Sequence, residues 1–134
     1  MTSNINFSSL FIVLIFLASL NGNAFATHIS QPILDNPKAQ YRIGETVALY
    51  GWVEYNAQPA PEVLLNFKLT RPDGTVAADQ SYQSDANGRF EFKFDTHKEK
   101  PGNYQLIITS HCLEIHRYAC TYKTQTLSID LTTP

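Results

Sequence analysis

The sequence predicts an all-β fold in which two antiparallel sheets pack face to face as a sandwich, and three observations predict it. First, Arg89 to Asp95 alternates without a fault, with Phe90, Phe92 and Phe94 on one side and Arg89, Glu91, Lys93 and Asp95 on the other. Strand side chains repeat every two residues, so this is a half-buried strand whose aromatic face needs a second sheet to cover it. Second, similar alternating runs recur along the chain, separated by turn signals such as Pro72-Asp73-Gly74, Asn87-Gly88 and Pro101-Gly102. Third, no long stretch carries the periodicity of an amphipathic helix.

The fold does not start at residue 1. Leu10 to Leu20 is an uncharged apolar run, and Ala24-Phe25-Ala26 after it is the small-x-small pattern of a signal-peptidase site. A membrane-spanning helix needs about 20 apolar residues, more than this run supplies. Residues 1–26 are therefore expected to be a cleaved signal peptide, and the mature chain a secreted or periplasmic protein without a membrane anchor. Cleavage there leaves 108 of the 134 residues, the size of one sandwich domain. All ten Lys/Arg and all twelve Asp/Glu lie in that part, and their signs are interspersed. With a net charge of −2 and no basic block, binding to nucleic acid by counterion release is not expected.

In chain order, residues 27–40 contain Pro32 and Pro37 and are expected as a lead-in with a short edge strand, the domain proper spanning 41–134. Thr46 to Tyr55 alternates, placing Val47, Leu49, Gly51, Val53 and Tyr55 on one face and Ala48, Tyr50, Trp52 and Glu54 on the other. Two prolines make Asn56 to Pro61 a loop. Val63, Leu65, Phe67 and Leu69 define the inner face of the next strand, and Val76, Ala78 and Tyr82 that of a weaker one. Asn87-Gly88 then reads as a tight hairpin turn with positive φ angles, Asp85 bonding locally to the backbone. After Phe90 to Phe94 and the charged stretch Thr96 to Lys100, Tyr104, Leu106 and Ile108 alternate inward, and Leu127, Ile129 and Leu131 close the domain.

Gly44-Glu45-Thr46-Val47, Pro72-Asp73-Gly74, Asp85-Ala86-Asn87-Gly88-Arg89-Phe90 and Pro101-Gly102-Asn103-Tyr104 follow one another as they do in bacterial immunoglobulin-like domains. Between Tyr41 and Ser110 the chain resembles macroglobulin-type and fibronectin type III-like sandwiches most, and carboxypeptidase-regulatory-like domains next. The resemblance implies an immunoglobulin-like antiparallel β-sandwich of about seven strands. It also implies a spacer, adhesion or binding role without shared catalytic residues, and a corner-bracing role for Tyr104. No cofactor is expected.

Three sets of residues are candidates for function. Residues 111–123 have no counterpart in the resemblance and hold both cysteines, together with His116 and Tyr118. Cys112, His116 and Cys120 are spaced by four, so a helix would gather them, with His111 nearby, as a thiophilic metal site. A hairpin turning at His116 would instead set Cys112 opposite Cys120, and in an oxidising compartment a disulfide is favoured. Tyr50 and Trp52 project side by side from one strand face. They would stack on a glycan or anchor a protein partner, unless residues 27–40 cover them. The third possibility is catalysis. Four histidines and several carboxylates are present, but no nucleophile elbow, phosphate loop or HExxH pattern accompanies them. The expectation is a non-catalytic module that binds a protein partner at the cell surface or in the periplasm.

Overall fold

Each alternating run becomes a strand in the computed structural model, which describes residues 28–134; the expected signal peptide lies outside them. The strands are β1 (His28–Leu34), β2 (Gln40–Arg42), β3 (Thr46–Tyr55), β4 (Gln58–Pro59), β5 (Leu64–Thr70), β6 (Val76–Gln83), β7 (Arg89–Asp95), β8 (Gly102–Ser110), β9 (Cys120–Tyr122) and β10 (Thr124–Thr132). A 3-10 turn at Glu114–His116 is the only helical element among the described residues.

The strands form two sheets. In the first, β1 lies between β9 and β3, and β7 and the short β4 also pair with β3. The second runs β2-β10-β8-β5-β6. Two pairings, β1 with β9 and β2 with β10, are parallel, so the sheets are mixed rather than antiparallel throughout. Among the described residues ten strands replace the expected seven or so, because β2, β4 and β9 are too short to show an alternation.

Residues 27–40 also differ from the expected lead-in. β1 is a seven-residue strand paired with β3 over Ser30 to Leu34 and with β9 over His28 to Ser30. Pro32 is tolerated because β9 ends at the level of Ser30, leaving the far side of β1 open where an N–H is missing. The sandwich therefore includes β1, and its described part begins at His28 rather than at residue 41.

The inner faces are those the alternation predicts. Val47, Leu49, Val53 and Tyr55 of β3 meet Leu65, Phe67 and Leu69 of β5, with Phe90 and Phe92 of β7, Tyr104, Leu106 and Ile108 of β8, and Ile129 and Leu131 of β10, all buried. Phe67 is the hub. Its ring centroid lies 5.4 Å from those of both Phe90 and Phe92 in the opposite sheet and 4.8 Å from that of Tyr82. Gly51, also on the inner face of β3, leaves the room that Phe90 fills. A Cβ there would come 2.6 Å from the Phe90 ring and 2.0 Å from the Ile33 carbonyl oxygen. Val76 is the exception among the predicted inner residues. The β5–β6 register slips between Leu69 and Thr70, and Val76 is exposed.

The Asn87-Gly88 turn is not a hairpin. β6 pairs with β5 and β7 with β3, so the turn carries the chain from one sheet to the other. Only Gly88 there has a positive φ, +76°. The Asp85 carboxylate accepts the backbone N–H groups of Asn87 and Arg89, and the Gly88 N–H donates to the Asp85 carbonyl. Beneath it, the buried Ser84 hydroxyl donates to the Ala60 carbonyl and accepts the Val63 N–H.

The opposite corner is braced by Tyr104, whose hydroxyl donates to the Lys100 carbonyl at 2.8 Å. Glu99, beside it, is gripped by Arg71 through Nε–Oε1 at 2.8 Å and Nη2–Oε2 at 3.3 Å.

Gly88→Ala should cost about 2–4 kcal/mol in denaturant unfolding, because the added Cβ would sit 2.7 Å from the Ala60 nitrogen in a left-handed backbone. Gly74→Ala, at φ +89° with no atom within 4 Å of the new Cβ, should cost only about 1 kcal/mol.

The exposed turn carboxylates of Asp73 and Asp95 are held below the ordinary range, Asp73 by the Thr75 hydroxyl and N–H and Asp95 by the His97 N–H and ring. A depressed folded-state pKa stabilises the fold above the unfolded value and loses that contribution as pH falls through the lowered one. The thermal midpoint should therefore drop below about pH 4, with Asp73→Asn and Asp95→Asn each flattening the dependence.

Candidate functional site: the stapled loop and the aromatic face

Residues 111–123 leave the end of β8 in the second sheet, cross to the first sheet as β9, and return as β10. Cys112 and Cys120 are joined by a disulfide with Cα atoms 6.0 Å apart. The expected disulfide is therefore present, but the expected hairpin is not. β9 pairs in parallel with β1, so the disulfide closes a loop that bridges the two sheets. The metal alternative at Cys112, His116 and Cys120 is overturned, since both sulfurs are bonded to each other and helical structure there is confined to Glu114–His116. Among the described residues no three His, Cys, Asp or Glu side chains are grouped to hold a metal ion.

Further contacts fix the loop to the sandwich. The hydroxyl of Tyr55, at the end of β3, lies 2.7 Å from His116 Nδ1. The His116 ring stacks on that of His28 with centroids 3.7 Å apart and planes within 16°. His28 Nδ1 in turn lies 2.6 Å from Asn56 Nδ2, and the Ser30 hydroxyl donates to the His111 carbonyl. His116 thus acts as an anchor of the loop, half-buried rather than presented outward. What the loop does present is Ile115, 84% exposed, and Tyr118, 89% exposed. The Arg117 guanidinium lies over the Tyr118 ring at 4.6 Å and pairs with Glu114.

Beside the loop is a cleft of about 630 Å³. Leu64, Leu113, Tyr122 and the disulfide give it apolar walls, with Glu62 and Arg117 among its charged lining residues. Leu64 and Tyr122 are themselves exposed. The arrangement is a concave apolar surface next to a fixed protruding tip, the kind of surface that buries a partner's side chain.

Tyr50 and Trp52 lie on the outer face of the first sheet, as the alternation predicts, and β1 lies beside them rather than over them. Tyr50 is 49% exposed, whereas Trp52 is half-buried, its Nε1–H donating to Glu54 Oε1 at 3.3 Å. Across the sheet Trp52 is flanked by Ile33 on β1 and Arg89 on β7.

The sequence singled out Tyr118 and His116 but not Ile115, Leu64, Leu113, Tyr122, His28 or Tyr55. Ile115 carried a usable signal: a branched apolar residue in a polar segment, out of phase with any strand. His28 and Tyr55 carried none, because their partner is some 60 to 90 positions away.

No protein-family model matches the sequence, and no curated protein sequence matches it. Solved structures do. A tetra-tandem repeat from the extending region of a large adhesion protein superposes with a TM-score of 0.52 at 15% identity, over 78% of this chain and 24% of that one. The chain therefore spans about a quarter of that structure's length. The CARDB domain of a Pyrococcus furiosus protein, in complex with di-metal ions, superposes with a TM-score of 0.50 at 10% identity, over 84% of this chain and all of that one. A β-glucosidase from Listeria innocua gives 0.49 at 10% identity, over 78% of this chain and 16% of the enzyme. The first two likenesses bear on the fold, which is an immunoglobulin-like β-sandwich.

Replacing both Cys112 and Cys120 with Ser should lower stability by about 2–3 kcal/mol while leaving the β-sheet circular dichroism unchanged. Limited proteolysis should then cut between residues 113 and 119, where the disulfide-bonded protein resists.

Proposed function

We propose that the protein is a non-catalytic binding or adhesion module that grips a protein partner with its disulfide-stapled loop and the adjoining cleft. The observation that carries this is the pair Ile115 and Tyr118, both more than four-fifths exposed on a loop held by a covalent bond and by His116. Apolar side chains held in water contribute nothing to the core, and a fixed loop loses little conformational entropy when a partner covers it. Tyrosine supplies large contact area with few rotatable bonds, and Arg117 at its side is the other residue type enriched at binding hot spots.

An exported protein, secreted or periplasmic, suits this reading, since an oxidising compartment preserves the disulfide on which the loop depends. A related fold serves in the extending region of a large adhesion protein, in keeping with a role in contact rather than chemistry. The second reading is glycan binding on the outer face of the first sheet, favoured by the adjacent exposure of Tyr50 beside Trp52.

Affinity capture from the exported or surface proteome, followed by titration of the captured partner, separates the two. On the protein-partner reading, Tyr118→Ala should weaken binding by about 1–3 kcal/mol with unchanged thermal stability, and Trp52→Ala should leave it unaltered. Loss of glycan-array binding on Trp52→Ala, with Tyr118→Ala silent, would transfer the function to the sheet face.

A further inference from the structure

We propose that β6 is a dimerisation edge. Two copies of this chain pair their β6 strands antiparallel about a twofold axis at Ser81, joining their second sheets into one. The edge meets the cleft only at Gln83, and the inference does not rest on the binding role proposed there.

Among the described residues, every other sheet edge is short, interrupted or occupied. β2 and β9 have three residues each, and β4 has two, one of them Pro59. The stretch of β1 beyond β9 carries Pro32, which has no N–H. On the outer side of β7, Asp85 holds both the N–H and the C=O of Arg89, and the Tyr82 hydroxyl caps the Glu91 carbonyl. β6 is different. It has eight residues, pairs only with β5, and carries one charged side chain, that of Asp79. Natural edges are guarded by lysine, proline or a bulge, and Asp79 to Gln83 of β6 has none of them.

The direction of its backbone groups follows from the ladder. The Ser84 N–H donates to the Val63 carbonyl, so Ser84 faces β5. Successive residues of a strand point their backbone groups to opposite sides, so Tyr82 and Gln80 face β5 as well. The side chain of Asn66, on β5, donates to the Gln80 carbonyl, in agreement. Asp79, Ser81 and Gln83 then turn their N–H and C=O groups to the open side, where none has a partner among the described residues. The neighbouring groups leave that side clear. Tyr82 leans inward to stack on Phe67, and Arg71 reaches only as far as the Val76 carbonyl. After Gln83 the chain departs for the first sheet.

The side chains choose the partner and the register. Antiparallel pairing centred on Ser81 sets Ser81 opposite Ser81 of the second copy, and Asp79 opposite its Gln83. All the outward-facing residues then form hydrogen-bonded pairs, and the twofold axis generates the Asp79–Gln83 pair twice. One Asp79 carboxylate oxygen accepts Asn66 Nδ2 at 2.8 Å, which leaves the other to accept the Gln83 amide of the second copy. On the inner face, Gln80 stands opposite Tyr82 of the second copy and covers a ring that one chain leaves half-buried. A centre at Asp79 would set two carboxylates opposite one another, which destabilises a sheet. A centre at Gln83 would lay half of each strand beside a chain that has already left the sheet. With a net charge of −2, the two copies repel each other little. An isologous contact of this kind closes on itself and stops at two copies.

Sedimentation of the purified protein over a concentration series tests the proposal. One strand pair is a small contact, so the expected result is reversible association to twice the chain mass, half complete below about 1 mM. Ser81→Pro removes an N–H that the single chain does not use. It should abolish the dimer while the β-sheet circular dichroism is retained. Ser81→Lys and Ser81→Glu should each weaken self-association at least about tenfold, because like charges then meet at the axis. Mixing those two variants should restore the dimer as a heterodimer, which happens only if position 81 faces its own counterpart. A protein that sediments as one chain up to about 1 mM would overturn the proposal. So would a folded Ser81→Pro protein that still dimerises, or a mixture of the two charged variants, both folded by circular dichroism, that fails to associate.

Discussion

The two sheets are held in register by one side chain more than by any other. Phe67 rises from β5 in the second sheet and meets Phe90 and Phe92 of β7 in the first, while Tyr82 of its own sheet stacks against it. A strand buries one face only if something apolar stands about 10 Å away to receive it, and here an aromatic cluster fills that gap. Gly51 belongs to the same arrangement, because its missing side chain is the space into which Phe90 leans. The turn at Ser84 to Arg89 follows from it as well. To bring Phe90 over Gly51 and against Phe67, the chain must leave the second sheet after Gln83 and enter the first at Arg89.

That dependence explains which parts of the fold were legible in the sequence. Alternation fixes which face of a strand is buried, and it did so for Val47 to Tyr55, Val63 to Leu69, Phe90 to Phe94 and Tyr104 to Ile108. It carries no information about which strand lies alongside. Asn87-Gly88 has the composition of a hairpin turn and makes a crossing between sheets, because the hydrogen-bonding partner of β7 is some 40 residues away in β3. For the same reason β9 was expected to pair back along its own hairpin, when its partner is β1. Short elements such as β2 and β9 fall below the length at which a period of two can be seen.

The candidate site divides along the same line. The disulfide was legible because two cysteines eight positions apart in a β-rich chain with the sequence pattern of a signal peptide have few other uses. The outward direction of Tyr50 and Trp52 was legible because it is a matter of face alone. The anchoring of His116 by Tyr55 and His28 was not, since it joins three parts of the chain that only the sandwich brings together. Among the described residues, one buried side-chain polar atom is left unsatisfied, and it lies at this end. Ser110 Oγ, at the last residue of β8, has no hydrogen-bond partner, an arrangement that costs about 1–3 kcal/mol where it occurs.

The two parallel pairings set the order in which the molecule can be completed. β1 needs β9, and β2 needs β10, so the first strands of the domain find their outer neighbours only in its last residues. β8 and β10 close the second sheet over the same stretch. A partially emerged chain therefore holds unpaired edges on both sheets until Cys120 to Thr132 is available. Contacts of such long sequence separation are slow to form, and the segments awaiting them are exposed to wrong partners meanwhile. For a chain that emerges from its amino end, assembly of the sandwich becomes the final event of synthesis rather than something that accompanies it.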